Sequence, residues 1–206
     1  MKHDQFWDKI ARKYASDPIS NMPAYEATLA RVRALITPEM QVLEVGCGTG
    51  TTALKLADAA GHYTGTDISS EMIKIANEKR IDDGVEDLTF DVASATQAGD
   101  GNYDAVLAFN LLHLVPDPEA TLAHIHSQLP EGGMFISKTP CLGNKPWFIP
   151  LIALMQLIGK APKPVHSLRP DRLRTMITQA GFDVEEMMFF PKQNISRFIV
   201  ARKRAG

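Results

Sequence analysis

Apolar and polar positions change period along the chain, and the changes predict its elements. From residue 4 to 15, Phe6, Trp7, Ile10 and Tyr14 recur at helical spacing among charged residues, which predicts a short amphipathic helix. A looser stretch from Ser16 to Pro23 follows. Leu29, Val32, Leu35 and Ile36 then share one face of a second helix over 24–36, with Pro38 just beyond it. After this the pattern alternates. Short apolar runs read as strands at 42–45, 62–66, 88–92, 103–109 and 134–138. Between them lie helices at 51–60, at 70–80 with Ser69 or Ser70 as N-cap, and from Pro116 and Pro118 to about Leu129. A last helix runs from Pro170 to Gln179 and closes on Gly181. Two final strands, 184–190 and 196–201, are joined through Pro191 to Asn194 as a hairpin. Strands and helices in alternation predict a parallel sheet with helices on both faces.

Residues 139–169 break this rhythm with five prolines around a bulky apolar segment, Trp147 to Ile158. As a helix that segment is apolar nearly all round, so it is expected to be buried or to cap something apolar. It is too short to span a bilayer, which takes about 20 apolar residues. Three readings stay open for it: a lid on its own domain, a wall for a hydrophobic acceptor, or a surface touching membrane lipid or a second subunit.

Composition narrows the class. A chain of 206 residues with 45% hydrophobic and 22% charged residues suits one well-cored domain. A net charge of −2, from 22 basic and 24 acidic residues, argues against a nucleic-acid surface. Two cysteines, Cys47 and Cys141, are too few for a disulfide framework and point to a reducing cytoplasm. The first residues, Met1 to Trp7, carry charge and lack the apolar core of a signal peptide. His124 and His126 stand two apart on one helix, so they do not face each other, and no metal site is expected.

The candidate chemistry starts at Val42-Leu43-Glu44-Val45-Gly46-Cys47-Gly48-Thr49-Gly50. A strand that breaks into glycines and feeds a helix builds a pocket for a nucleotide-like ligand at the end of a parallel sheet. The next strand ends at Asp67, 17 residues after Gly50, where a carboxylate suits the two hydroxyls of a ribose. The spacing is Gly-x-Gly-x-Gly, not the dinucleotide Gly-x-Gly-x-x-Gly, and Glu44 precedes it. A carboxylate there repels a pyrophosphate but favours an amine-bearing ligand.

At these residues the chain resembles the class I S-adenosylmethionine-dependent methyltransferases. Glu44 to Gly50 looks like that family's first motif, and Thr66-Asp67-Ile68-Ser69-Ser70-Glu71-Met72 like its acidic turn and following helix. Asp104 to His113 resembles the fourth strand and the loop over the active site, and Leu129 to Phe135 the turn into the fifth strand. Phe6-Trp7-Asp8-Lys9-Ile10-Ala11-Arg12-Lys13-Tyr14 is similar to the N-terminal helix of the small-molecule branch, relatives of quinone-biosynthesis methyltransferases included.

The resemblance implies a three-layer α/β/α sandwich, Rossmann-like, with a mostly parallel seven-stranded sheet and an antiparallel last strand. It implies one domain over 1–206: N-terminal helices to 37, a cofactor-binding core over 38–138, an acceptor-site lid insertion over 139–169, and the last helix and hairpin over 170–206. The implied cofactor is S-adenosyl-L-methionine. Gly46, Cys47, Gly48 and Gly50 would admit it to the backbone, and Glu44 and Asn110 would sit near its amino group. Asp67 would hold the ribose, with Ile68 and Met72 beside the adenine. The adenine edge falls to Asp91 with Val92 or to Ser94 with Ala95, the second fitting better the usual distance from the strand's aromatic residue.

Tyr14, His113, Trp147, Phe148 and Leu151 would line a pocket for a small, hydrophobic or aromatic acceptor. Tyr14 would close over the cofactor, and His113 is the best-placed base, though the plainer reading of His113 as a packing residue is preferred. Two other functions compete: a nicotinamide-dependent oxidoreductase, and a non-catalytic protein that has kept the pocket.

Overall fold

The computed structural model describes residues 3–144, 148–190 and 195–206. Two helices, α1 (His3–Ser16) and α2 (Met22–Arg33), precede an alternating run. That run is β1 (Gln41–Val45), α3 (Thr51–Leu56), β2 (His62–Asp67), α4 (Ser70–Asp83), β3 (Leu88–Val92), β4 (Ala105–Phe109), α5 (Pro118–Ser127) and β5 (Met134–Pro140). Then come α6 (Phe148–Leu157), α7 (Pro170–Gln179), β6 (Phe182–Met188) and β7 (Ser196–Lys203).

The seven strands form one sheet in the order β3-β2-β1-β4-β5-β7-β6. β1 to β5 pair in parallel, and β7 runs antiparallel to both β5 and β6. Successive residues of each inner strand enter opposite cores, because side chains alternate across a strand. Val42, Leu107, Ile136 and Val200 join the core that reaches α2 and α3. Leu43, Val106, Phe135 and Ile199 join the one that reaches α5 and α7. Both faces are covered, which is why these strands read as continuous apolar runs.

From β1 the chain winds outward through β2 to β3, then returns to β4 on the other side of β1. The crevice at that reversal, beyond the carboxyl ends of β1 and β4, is where open α/β sheets hold ligands. The segments leaving those two strands are the glycine loop and the stretch beginning at Asn110.

Several boundaries differ from the sequence reading, each for a local reason. The second helix starts at Met22, since Asn21 caps it by accepting from the Ala24 N–H at 3.1 Å, and it stops at Arg33. The helix expected over 51–60 stops at Leu56, and Ala57–Ala59 forms a single 3₁₀ turn. β4 begins at Ala105, because Tyr103 N–H already donates to Gln128 O. β6 begins at Phe182, straight after Gly181, pairs with Lys203 and ends at Met188, with a register shift between Val184 and Glu186. The hairpin loop 191–194 lies outside the described residues. The largest difference is α6: no residue from 149 to 158 is buried. The sheet faces it would have covered are already filled by α2, α3, α5 and α7.

Gly50 shows how tightly the loop is built into this frame. Its φ is +73°, and a Cβ there would come within 2.5 Å of the Phe90 ring and 2.9 Å of Ala76. Left-handed strain and overpacking add, so Gly50→Ala is expected to cost about 2–4 kcal/mol, read as a lower urea midpoint at unchanged slope. An unshifted midpoint would show that Phe90 gives way freely.

Candidate cofactor and acceptor site

The glycine loop is held from below by β2. The N–H groups of Gly46 and Cys47 both donate to Thr66 O, at 2.7 and 2.9 Å. Gly46, Gly48 and Gly50 have φ of +75°, +56° and +73°, a run of left-handed turns that side chains resist. Asp67 fixes the middle of the loop. One carboxylate oxygen accepts from Gly48 N–H at 3.0 Å, and the other from Ser69 N–H at 2.9 Å. Ser69 in turn caps α4, accepting from Met72 N–H at 3.1 Å.

A further carboxylate extends this chain of bonds to α1. Asp8 accepts from the Ser69 hydroxyl at 2.6 Å and from Glu71 N–H at 3.2 Å. It thereby pins α1 to the start of α4, and Ala11 packs with Met72 and Ile75 beneath it. The pinned helix lays Tyr14 over the loop, 3.7 Å from where a Cβ on Gly48 would stand.

The far wall comes from the segment after β4. Asn110 holds φ +54°, the one left-handed non-glycine among the described residues, and its N–H donates to Lys138 O at 2.7 Å. A residue held in that region marks a place where the backbone shape is imposed by its surroundings. Leu111 follows it and closes on Gly46, whose Cβ would meet Leu111 Cδ1 at 2.7 Å.

Loop, acidic turn, α1 and far wall enclose a cavity of about 490 Å³. Of the residues expected from sequence, Tyr14, Gly46, Gly48, Asp67, Ile68, Met72, Ser94, Ala95, Asn110 and His113 line it. Ser94 and Ala95 face the cavity and Asp91 and Val92 do not, Val92 being 56% exposed.

Others stand elsewhere. Glu44, Cys47 and Gly50 support the loop from behind without lining the cavity. Leu151 also falls outside it, 49% exposed on α6, because Leu111 to Pro116 and Pro140 already build the apolar wall assigned to it. Phe148 opens α6, and Trp147 lies outside the described residues. Sequence reasoning gave no role to Trp7, Thr96, Leu114, Val115 or Thr121, which also line the cavity. Trp7 shares a helix face with Tyr14, so that periodicity was the available signal. The others sit in loops or at a helix start, where no periodicity exists to betray them.

Burial decides the electrostatics. Glu44 is 2% exposed and accepts from the Tyr63 hydroxyl at 2.9 Å. Desolvation, opposed by that hydrogen bond and aided by Asp67, lifts its pKa from an ordinary 4.5 to about 7. The Cys47 thiol is pushed up by burial and by Glu44 and Asp67, which makes it inert as a nucleophile. Desolvation, then Asp67 and Glu44, raise Tyr14 above its usual 10 although 52% of the residue is exposed, so it stays a neutral phenol at neutral pH. His113 is pulled down to about 4, by burial first and by His166 second. It is therefore neutral at pH 7, free to accept a proton but a feeble base. Its Nδ1 is buried with no hydrogen-bond partner among the described residues.

A family model described as methyltransferase domain matches residues 36–181 of this chain, well over half its length. The chain belongs to the methyltransferase domain family. Its methyl donor is S-adenosyl-L-methionine, and the nicotinamide-dependent alternative falls away.

The chain is similar to the ubiquinone biosynthesis O-methyltransferase of Hydrogenovibrio crunogenus, 28% identical over 152 residues that cover 70% of this chain and 63% of that one. It is also similar to the protein of the same name from Haemophilus ducreyi, 30% identical over 161 residues, covering 71% and 66%. The chain thus spans a little under two thirds of these curated relatives. Among solved structures, magnesium protoporphyrin IX methyltransferase from Synechocystis PCC 6803 with bound S-adenosylhomocysteine has a TM-score of 0.72 at 21% identity, covering 97% of each chain. A Haloferax volcanii chain, solved in the complex with the Trm112 methyltransferase activator, reaches 0.81 at 17% identity, covering 100% and 99%. At these identities the structural likeness shows the fold.

The site of this methyltransferase fits its donor. Open backbone at Gly46 and Gly48, the Asp67 carboxylate and the apolar Ile68 and Met72 adjoin in one cavity of suitable size.

A pH test follows from Glu44. Its folded pKa is raised, so its contribution to stability is fully present below about 4.5 and is lost as pH rises through about 7. Glu44→Gln imitates the protonated form. Relative to the variant, the ligand-free wild type is expected to lose about 3 kcal/mol between pH 4.5 and pH 8 in urea titrations. A difference that stays constant with pH would place the Glu44 pKa near its ordinary value.

Proposed function

We propose that the enzyme methylates a small apolar acceptor, an aromatic hydroxyl being the best fit, and works in the cytoplasm. The carrying observation is the two-ended cavity. One end offers backbone and the Asp67 carboxylate; the other offers Leu111, Leu114, Val115 and Pro116, with Asp117 at its margin. The names of the relatives, O-methyltransferases of ubiquinone biosynthesis, support an oxygen nucleophile on an apolar body. The free, buried Cys47 and Cys141 accord with a reducing compartment.

The assigned roles are these. Gly46 and Gly48 let the donor approach the main chain, and Asp67 takes the ribose hydroxyls. Ser94 and Ala95 flank the adenine, and Asn110 answers the amino group, with the buried Glu44 acting on it only as a charge behind the loop. Tyr14 and Trp7 close the donor off from solvent.

The bound donor supplies an electrophilic methyl group on a sulfonium. Gly46, Gly48 and Asp67 would hold that donor, and its methyl group would replace the proton of the acceptor hydroxyl. The protein's part is alignment and exclusion of water. His113 lines the acceptor end as a neutral imidazole and not as the general base, since a base near pKa 4 gains little at neutral pH.

The test is transfer of labelled methyl from S-adenosylmethionine to a panel of phenols, catechols, amines and thiols of graded hydrophobicity. Label is expected in the organic phase with catechols and phenols, and in His113→Ala it should fall by less than about tenfold, with an unchanged pH profile. Label confined to amines or thiols would contradict the acceptor class. A loss of about 100-fold or more in His113→Ala would restore the base.

A further inference from the structure

Helices on globular proteins turn their apolar face inward, and α6 does the reverse. Ile149, Leu151, Leu154, Leu157 and Ile158 are 49%, 49%, 55%, 79% and 54% exposed. At 100° per residue they spread over about 200° of the circumference. Ile152, Met155 and Gln156, which are half-buried, take the remaining arc. No residue from 148 to 159 is charged. One exposed leucine is ordinary, but five large apolar side chains within ten residues form a patch that marks a contact.

Charge selects the partner. From Gly132 to Pro170 the chain holds no Asp or Glu, while it holds Lys138, Lys145, Lys160, Lys163 and Arg169. Lys138 is buried; Lys160, Lys163 and Arg169 are exposed. Lys160 sits at the end of α6, its N–H donating to Met155 O at 2.8 Å. An uncharged apolar stripe followed by cations matches the boundary between acyl chains and anionic headgroups. A second copy of this chain would bring the same cations against each other across a two-fold contact. The ten residues of α6 extend about 15 Å, half the hydrocarbon thickness, so the helix would lie in the surface and not cross it. No helix among the described residues is long and apolar enough to cross a membrane.

The segment that returns from α6 is bonded to the cavity wall. His166 N–H donates to His113 O at 2.7 Å, and the His166 ring bonds Val115 O at 2.8 Å. His113 and Val115 both line the cavity.

We propose that α6 docks this enzyme on anionic phospholipid, lying in the headgroup region and holding the acceptor end of the cavity beside the bilayer. This deepens the reading that the acceptor is apolar. Vesicle binding is measured without acceptor or donor, so either proposal can fail while the other stands.

The experiment is sedimentation of the full chain with vesicles of pure phosphatidylcholine or of phosphatidylcholine with phosphatidylglycerol, beside light scattering for mass. The wild type is expected to pellet with the anionic vesicles, less at high salt, and poorly with the neutral ones. Leu154→Glu with Leu157→Glu should weaken pelleting by about tenfold or more. Lys160→Glu with Lys163→Glu should abolish the preference for anionic lipid. Both variants should bind S-adenosylhomocysteine and melt as the wild type does, since none of these side chains enters the cavity or the core. Wild type remaining in the supernatant with both vesicles would overturn the proposal. So would pelleting unaffected by the leucine changes. A wild-type dimer that those changes split, with no vesicle binding, would make a second copy the occupant instead.

Discussion

The carboxylate of Asp67 holds the site together. One oxygen takes the Gly48 N–H and the other the Ser69 N–H, so a single side chain joins the loop after β1 to the turn after β2. Hydrogen bonds to a charged acceptor are about twice as strong as neutral ones, and this pair holds a loop whose three glycines all sit in left-handed conformations. Through Ser69 the same network reaches Asp8 and brings α1 across the cavity. Loop shape, the place of α1 over the cavity and the Asp67 carboxylate are therefore one structure. Asp67 still borders the cavity after making these bonds, which lets it serve a ligand as well as the fold.

A second constraint is the imbalance of charge within the site. Asp67 lines the loop end with Glu44 buried behind it, and the opposite wall is apolar at Leu111, Leu114, Val115 and Pro116, with His113 and Asp117 beside them. Burial holds Glu44 near the midpoint of its titration at neutral pH. A cation arriving at the loop would favour the ionised form, whereas an anionic pyrophosphate would meet two groups that resist it. The arrangement is thus matched to a cationic, amine-bearing donor. His113 and Val115 in the cavity wall are bonded to His166 in the segment that follows α6.

Much of this was legible in the sequence because it rests on local periodicity. The inner strands are apolar on both faces, so their runs stood out, and Gly46, Gly48 and Gly50 follow one of them directly. Asp67 was readable because it ends a strand. The choice between Asp91–Val92 and Ser94–Ala95 was only partly so: distance from Phe90 favoured the second pair, but which pair faces the cavity depends on how the chain turns after β3, and it is the second. The Asp8–Ser69 bond joins residues 61 positions apart and leaves no local trace. Leu151 was misplaced for a related reason. Hydrophobicity says that a side chain prefers to leave water, but not whether the space it would fill is already taken, here by Leu111 to Pro116. The same limit explains why the apolar pattern of α6 could not decide between a buried helix and an exposed contact surface; the helix is exposed.

The central claim is that the glycine loop, Asp67 and the apolar far wall form one site for a sulfonium donor. Calorimetric titration of the wild-type chain tests it most directly, with S-adenosylhomocysteine and NAD as separate ligands under one buffer condition. The account predicts saturable binding of S-adenosylhomocysteine at one site per chain and no binding heat from NAD. Saturable binding of NAD, with none for S-adenosylhomocysteine, would contradict it.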